Sequence, residues 1–411
     1  MFRGSRQAAN IALLAAGEGV GRLLAFGLTA LIARAYGLTE LAILSACQAF
    51  IAYASIAGDG GLNQEATRRL VGGEDRGIVY RDAARTQFVY TSGAVCLVLA
   101  LVAVSSPAIF LPLLCFAPVP LAAAISTPYL LDAVGRFGEI AVSRILMSLV
   151  TTVVGLVMIA VGVPAWLFGL AYSLGAIAAA WWTNLRGRRP RGVILQHRSA
   201  ASRSARRRTA WRLGQVAVLL HVHSSLPILI ASRFSDNRSF QDMGVVTRVW
   251  FIASAVIVMS GSVLLPSFGR SLGRKKVFVA IAGFVLYSLL ALLLFWAAGG
   301  PLLNLLFGPD ASRSFVPVLI YLAGLVPASV AAVCASALIA MHRESGMGLA
   351  YGVGILALIC VVVTSSDGAS SISLSVAWLL SQFFLAGWLG VMLVMFIRGD
   401  ARRSVGSRVE G

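Results

Sequence analysis

Twelve long apolar stretches recur along the chain, and they constrain its fold more than any other feature of the sequence. Most approach the ~20 residues that a helix needs to cross the ~30 Å hydrocarbon core of a bilayer. They are continuous and lack the alternation of barrel strands, so they predict helices. The stretches are Ala9–Tyr36, Leu41–Ile56, Gln87–Val104, Ile109–Leu131, Ile140–Val161, Pro164–Trp182, Leu213–Ala231, Phe240–Leu265, Val277–Ala298, Phe315–Met341, Gly348–Thr364 and Ile372–Ile397. The sequence therefore predicts an all-α, polytopic membrane protein with about 12 transmembrane helices.

The composition agrees with a chain that lies mostly in lipid. Hydrophobic residues make up 58% of the sequence and charged residues 12%, whereas soluble domains average about 45–50% and 25%. The 5 cysteines all lie within apolar stretches, so no disulfide framework is expected. No metal-binding motif or catalytic nucleophile motif appears, and the gaps between stretches are too short to fold alone. Gly17, Gly19 and Gly21 superficially resemble a nucleotide loop, but inside a membrane helix they favour close packing. The sequence thus predicts a protein that is not an enzyme and that has neither cofactor nor metal.

The positive charges indicate the orientation in the membrane. Most of the 34 lysines and arginines fall in alternate gaps, and only Arg34, Arg233, Arg238 and Arg313 fall in the opposite ones. Because positive charge is retained on the cytoplasmic side, both termini are predicted to be cytoplasmic. The net charge of +18 then follows from arginines beside an anionic leaflet, and it needs no nucleic-acid partner.

The strongest break in the pattern lies at the midpoint. The segment 186–212 contains many arginines and no acid, and six apolar stretches lie on either side of it. This layout predicts an N-terminal six-helix lobe over 1–185, a basic cytoplasmic linker over 186–212, a C-terminal six-helix lobe over 213–398 and a cytoplasmic tail over 399–411. In the fourth stretch, prolines remove backbone donors and predict an irregular or broken helix; they are Pro112, Pro118, Pro120 and Pro128.

Four segments carry a family resemblance. They are Asn10–Gly37, Asp59–Leu62 with Arg68 and Arg69, Ser232–Trp250 and Leu302–Asp310. Together they resemble polysaccharide-biosynthesis flippases, which share a superfamily with multidrug and toxin extruders (MATE) and lipid II flippases. The resemblance implies two lobes, in the MATE-like flippase fold, that alternate between inward-open and outward-open states in the bacterial cytoplasmic (inner) membrane.

The same resemblance implies the cargo and the partners. The cargo is a polyprenyl-diphosphate-linked oligosaccharide that is moved to the outer leaflet for O-antigen, capsule or exopolysaccharide synthesis. The implied partners are this lipid-linked oligosaccharide, membrane lipids, and polysaccharide polymerase and assembly proteins. Such a step requires a protein, because a diphosphate and several sugars cannot cross hydrocarbon unaided.

Charges at membrane depth are rare and are candidates for function. Glu18 and Arg22 are four residues apart on the first helix, and Arg248 lies within the eighth. We expect Arg22 and Arg248 to form a cationic patch for a diphosphate or an acidic sugar, which the guanidinium fork suits. In one alternative, Glu18 and Arg22 only neutralise each other and Arg248 bonds to helix carbonyls. In another, Glu18 relays a proton or sodium ion.

Other polar residues lie at similar depth. We expect His221 and His223 to assist the arginines; being two apart, they point away from each other and do not favour a shared metal site. Asp59 is either a gate contact between lobes or part of a turn at a helix end. Arg144, about one turn inside the fifth helix, is expected to reach the cytoplasmic surface.

Two other transporter classes and one enzyme class are alternatives. A cation-coupled multidrug extruder should place acidic residues in the cleft, whereas here Arg22 and Arg248 outnumber Glu18. A lipid II flippase, within the same superfamily, remains open. A membrane glycan polymerase or ligase would need a large external loop, and the longest external gap is only 299–314.

Overall fold

The computed structural model describes residues 2–71, 73–187, 203–257, 273–341, 346–365 and 369–406, together with Leu264 and Phe268. Every regular element in these ranges is helical. The first half contains α1 (Phe2–Tyr36), α2 (Leu38–Asp59), α3 (Leu62–Val71), α4 (Arg76–Ser105), α5 (Pro107–Phe116), α6 (Pro118–Ile125), α7 (Pro128–Ala133), α8 (Phe137–Val161) and α9 (Phe168–Gly187). The second half contains α10 (Arg203–Phe234), α11 (Asn237–Ala253), α12 (Arg274–Phe307), α13 (Phe315–Ala323), α14 (Leu325–Ala340), α15 (Met347–Thr364) and α16 (Ser371–Gly406). Two 3₁₀ helices, Ala165–Leu167 and Pro309–Ser314, join α8 to α9 and α12 to α13.

The prediction of an all-α, multi-pass membrane protein is confirmed. Within the described ranges, 11 helical segments are long and apolar enough to cross a bilayer. The eighth predicted stretch, Phe240–Leu265, is not among these 11 segments. Its helix, α11, ends at Ala253, and most of residues 254–265 lie outside the described ranges.

The fourth predicted span is interrupted, as its prolines indicate. It consists of α5, α6 and α7 in succession, and Pro118 and Pro128 each occupy the first position of a helix. Proline suits that position because its missing N–H would have no intrahelical partner there. Ser126 is extended and ends α6. The result is a chain of short helices where an uninterrupted span would otherwise lie.

Helices of each half pack mainly among themselves. In the first half α1 contacts α8, α8 contacts α9, and α2 contacts α4, α5 and α6; in the second, α12 contacts α14, and α16 contacts α14 and α15. The halves meet where α2 contacts α10 and α11 and where α1 contacts α11 and α12. The contact of α2 with α11 is very close, because a Cβ at Gly244 would lie 2.8 Å from the Cα of Ala42.

The ends of the predicted linker and tail are helical. α9 continues to Gly187, α10 begins at Arg203, and α16 continues to Gly406, so the helices extend beyond the apolar stretches that predicted them. Residues 188–202 of the linker and 407–411 of the tail lie outside the described residues. The division into two lobes at these boundaries stays a prediction.

The helix bundle has an inner end and an outer end. The inner end is where α4 begins at Arg76 and α9 ends at Gly187, and the outer end is the opposite one; both names follow the predicted orientation. Glycines bring α1 against α8, since a Cβ at Gly17 would lie 3.0 Å from Ala141 and one at Gly21 would lie 2.8 Å from Ser148. This close packing is the role predicted for Gly17 and Gly21 of the first helix.

Candidate anion-binding cavity

A cavity of about 430 Å³ lies where α11 of the second half meets the first half. Its walls come from α1, α2, α8, α9, α11 and the junction of α5 and α6. Four charged side chains line it: Glu18, Arg22, Arg144 and Arg248. At 1.5 Å per residue, Arg22 lies about 21 Å from the outer end of α1 and Arg248 about 16 Å from the outer end of α11. The cavity is therefore near the middle of the bundle.

Glu18 is held between two arginines. Its Oε1 lies 3.1 Å from Nε of Arg22, one helical turn away, as expected for residues four apart. Its Oε2 accepts a hydrogen bond from Nη1 of Arg144 on α8. The expectation that Arg144 reaches the surface was therefore incomplete: its side chain is 48% exposed but ends on a carboxylate of α1. The close approach of α1 and α8 produces this pair, and no spacing in the sequence indicates it.

Arg22 also bridges to the second half. Its Nη1 donates to the backbone oxygen of Phe251 at 2.9 Å, and its guanidinium lies 4.6 Å from the centre of the Phe251 ring. A backbone carbonyl and an aromatic face both attract a cation. Arg22 thus contacts Glu18 on its own helix and α11 across the interface between the halves.

Arg248 is the most buried of the three cations, with 8% of its surface exposed. Its Nε donates to Oγ of Ser45 at 3.0 Å, and its Nη1 donates to Oε1 of Gln48, both on α2. The alternative in which Arg248 bonds to helix carbonyls is therefore wrong among the residues described, because its partners are side chains of another helix. Its Nη2 is buried and has no hydrogen-bond partner among them.

The charges of the cavity do not balance. Arg22, Arg144 and Arg248 face a single carboxylate, Glu18. A buried donor without a partner destabilises the protein by about 1–3 kcal/mol. An anion that accepts a hydrogen bond from Nη2 of Arg248 would remove this cost. The arrangement can bind phosphate or carboxylate oxygens, since guanidinium groups present parallel N–H donors to both.

Neither histidine lines this cavity. His221 on α10 contacts Oγ of Ser225 at 3.1 Å and lies edge-on to the ring of Tyr53, with centroids 5.1 Å apart. His223 is 1% exposed in the second half; its Nε2 lies 3.0 Å from Oγ of Ser381, and its ring stacks on Trp378 at 4.9 Å. Both histidines have protein partners, which is the arrangement of core residues.

Asp59 is part of a turn at the inner end. Its Oδ1 accepts hydrogen bonds from the backbone N–H of Asn63 and from Nε2 of Gln87, each at 3.2 Å. These bonds join α2, α3 and α4 of the first half. The approach to the second half occurs next to it, since a Cβ at Gly214 of α10 would lie 2.5 Å from the carbonyl carbon of Gly60. The hydrogen bonds of Asp59 thus match the turn that sequence analysis offered as an alternative to a gate.

A polar network at the outer end was missed by the sequence analysis. It comprises Thr39, Gln241, Asp242, Arg313, Ser314 and Ser371. Asp242, 5% exposed, accepts from Oγ of Ser314 at 2.7 Å and from Oγ of Ser371 at 3.1 Å. Gln241 donates to Oγ1 of Thr39 at 2.7 Å, which ties α11 to α2. An acid inside a predicted apolar stretch was the available signal, but its partners come from the 3₁₀ helix Pro309–Ser314 and from α16, which are far away in the chain.

The described residues contain no group of three or more His, Cys, Asp and Glu side chains that could hold a metal ion. Among the described lining residues of the central cavity, the charged groups are three arginines and one glutamate.

The comparisons with known proteins concern the fold. No family model and no curated protein matches the sequence. The solved structure of the lipid II flippase MurJ in an inward closed conformation matches with a TM-score of 0.73 at 11% identity, covering 92% of this chain and 86% of that one. An inward-facing MATE multidrug transporter of the MOP superfamily matches at 0.63 and 13% identity, covering 93% and 96%. A MATE transporter of Vibrio cholerae matches at 0.59 and 13% identity, covering 96% and 98%. These likenesses show that the chain has the helical membrane fold that MurJ and the MATE transporters share.

Proposed function

We propose that the protein is a flippase that moves a polyprenyl-diphosphate-linked oligosaccharide across the bacterial cytoplasmic membrane for surface polysaccharide synthesis. It acts as a transporter, not as an enzyme. The observation that carries this proposal is the excess of positive charge in the central cavity, where three arginines face one glutamate. The fold shared with a lipid II flippase supports the proposal, because it accommodates movement of a lipid-linked precursor.

The cavity suits a diphosphate for an energetic reason. Burying a charge in a low-dielectric interior is very unfavourable unless an opposite charge and hydrogen bonds accompany it. An incoming diphosphate would neutralise the excess charge of Arg22 and Arg248 and give the free Nη2 of Arg248 a partner. A cavity of about 430 Å³ is in the usual range for ligand pockets. The polyprenyl chain would remain in the hydrocarbon of the bilayer.

The same arginines connect cargo binding to movement of the halves. Arg22 holds the backbone of Phe251 on α11, and Arg248 of α11 holds Ser45 and Gln48 on α2. A diphosphate that competes for these N–H groups weakens the ties between α11 and the first half. Cargo binding thereby favours separation of the halves at this level, which an alternating-access cycle requires.

Two alternatives within the same fold are distinguishable. A cation-coupled multidrug extruder is disfavoured, because Glu18, the one acid among the described residues of the cavity, is already paired with Arg22 and Arg144. A lipid II flippase is favoured by a specific observation, the TM-score of 0.73 with MurJ. Lipid II also carries a diphosphate, so the arginine cavity suits both cargoes. The two functions are distinguished by which lipid accumulates when the gene is absent.

The test follows both lipids in a strain without the gene. We expect lipid-linked oligosaccharide to accumulate on the cytoplasmic leaflet and surface glycan to disappear, with lipid II unchanged and full rescue by the intact gene. The variants Arg22→Ala and Arg248→Ala should not restore surface glycan, although both proteins should be inserted and abundant. Arg238→Ala changes an exposed residue at the outer end of α11 and should restore it. The corresponding Arg→Lys variants should restore surface glycan partly, since lysine keeps the charge but lacks the planar guanidinium that donates two parallel hydrogen bonds.

Three outcomes would contradict the proposal. Accumulation of lipid II alone would assign the protein to peptidoglycan precursors. Unchanged glycan together with increased sensitivity to cationic drugs would assign it to the extruders. Normal rescue by both alanine variants would remove the arginine cavity as the binding site.

A further inference from the structure

A second cavity, an open groove of about 510 Å³, lies between α4, α6 and α9. Its lining is almost entirely apolar and includes Phe88, Leu121, Ile125, Ile177, Trp181 and Leu185. α6 forms the floor, since it packs against both α4 and α9. Large side chains on its rim face away from the protein: Trp181 is 61% exposed and Phe88 46% exposed. The groove therefore opens to the surrounding lipid.

The groove is separate from the arginine cavity. The short helix α6 is the partition, because Pro118 and Leu121 line the groove whereas Val119 lines the cavity. The two share no lining residue. A ligand in the groove is therefore not the bound cargo of the proposed function, and the two proposals are independent.

The groove has the length of part of one leaflet. On α9 its lining extends from Ile177 to Leu185, about 12 Å at 1.5 Å per residue. The hydrocarbon core is ~30 Å thick, so one leaflet contributes about 15 Å. Because α9 (Phe168–Gly187) ends at Gly187, the groove starts near the inner end of the bundle and extends to the middle of α9 at Ile177.

Two arginines continue the groove toward the inner surface. Arg81 and Arg85 precede Phe88 on α4 at the spacing that places three residues on one helical face, and all three are exposed. Neither arginine makes an ion pair with another described residue, and the neighbouring Asp82 pairs with Arg69 instead.

Other polar groups at this end differ in whether they already have a partner within the described residues. Arg186 of α9 has partners of its own, with its guanidinium 4.6 Å from the ring centre of Trp182 and its Nε 3.4 Å from Oε2 of Glu139. Asn184, in the lining of the groove, has a buried Oδ1 without a hydrogen bond within the ranges that the structure covers. The mouth thus offers free cations and a free acceptor.

We propose that this groove binds one acyl chain of an anionic glycerophospholipid from the leaflet at the inner end, with the lipid phosphate at Arg81 and Arg85. The apolar lining matches the chain, the two cations match the phosphate, and the free acceptor of Asn184 suits a headgroup hydroxyl. A phosphatidylglycerol molecule has all three features. Each basic residue near an anionic lipid contributes about a fivefold preference, so the two together give roughly 30-fold over a zwitterionic lipid.

Trp181 provides the readout, since it lies in the groove and bromine atoms on a lipid chain quench indole fluorescence on contact. The protein is reconstituted in phosphatidylcholine vesicles at low salt, and phosphatidylglycerol with brominated chains is added in small mole fractions. We expect saturable quenching at a mole fraction roughly 30-fold below that needed with brominated phosphatidylcholine. Trp181→Phe should remove the saturable component. The matched control Trp296→Phe should leave it, because Trp296 is similarly exposed, at 65%, on α12.

A second set of variants tests whether Arg81 and Arg85 bind the lipid phosphate. The double variant Arg81→Gln with Arg85→Gln should lose most of the preference, and the corresponding double lysine variant should keep it. Quenching that rises linearly and equally with both brominated lipids would overturn the proposal, as would saturable quenching that the glutamine variants leave unchanged. Relief of the quenching by polyprenyl phosphate at lower mole fraction than by unbrominated phosphatidylglycerol would also overturn it, because the carrier lipid would then be the occupant.

Discussion

Replacing Arg248 by methionine separates a binding role from a structural one. Methionine replaces the aliphatic part of the side chain with an unbranched, flexible one and removes the charge and all five N–H donors. The change acts on a residue that is 8% exposed and that contacts Ser45 and Gln48 on the neighbouring helix. If Arg248 only stabilises the helix contact, stability should change and anion binding should not.

The expected loss of affinity follows from the hydrogen bonds that are available. Nε and Nη1 of Arg248 already have partners, so Nη2 is the donor that is free for an anion. A hydrogen bond to a charged group contributes about 1.5–3 kcal/mol, which corresponds to roughly 10- to 150-fold in affinity. Arg248→Met should therefore weaken pyrophosphate binding by a factor in this range.

The expected change in stability is small because two effects oppose each other. Loss of the guanidinium leaves Oε1 of Gln48 without its donor, whereas Ser45 keeps its hydrogen bond to the Leu41 carbonyl at 2.7 Å. Removal of a buried charge offsets this loss, since a buried charge is costly to desolvate. We expect the free energy of unfolding to change by less than about 2 kcal/mol.

The assay is isothermal titration of purified protein with inorganic pyrophosphate, alongside thermal unfolding in the same detergent. Arg238→Met is the matched control, because it makes the same substitution at the exposed outer end of the same helix. Pyrophosphate affinity within about twofold of the parent for a folded Arg248→Met protein would refute the reasoning. A comparable loss in the control would show that overall charge, not the cavity, governs binding.

Further measurements test the packing and the orientation. Gly58→Ala should lower stability by about 1–3 kcal/mol, because the new Cβ would lie 2.0 Å from Oγ1 of Thr91. Gly93→Ala, which has no neighbour within 4 Å, should instead raise stability by up to ~1 kcal/mol through helix propensity; equal unfolding temperatures for the two variants would contradict this account. A thiol reagent that cannot cross the membrane should label Asp236→Cys but not Ser202→Cys from outside, above the background of the parent, and the reverse pattern would invert the predicted orientation.

The arginine cavity shows how far sequence reasoning reaches. The sequence alone identifies Arg22 and Arg248 as charges at membrane depth, and the structure places both on one cavity. The sequence does not identify Arg144 as a partner of Glu18, because that pair depends on contact between helices that are far apart in the chain. It also groups the histidines with the arginines by depth, whereas the rotation of α10 directs His223 into the second half.

The sequence by itself determined the class of fold, the positions of 11 spanning segments, the break in the fourth span and the charges that lie within the membrane. These properties depend on local composition, because the free energy of transferring a segment into hydrocarbon is a sum over its own residues. Only the tertiary structure decided which charges meet, that Arg248 retains a free donor, and that α6 separates the cavity from the groove. These features depend on how helices rotate and approach one another at glycines such as Gly21 and Gly244. In lipid, where apolar surfaces do not distinguish one helix from another, that choice rests on close packing and a few hydrogen bonds between residues distant in sequence.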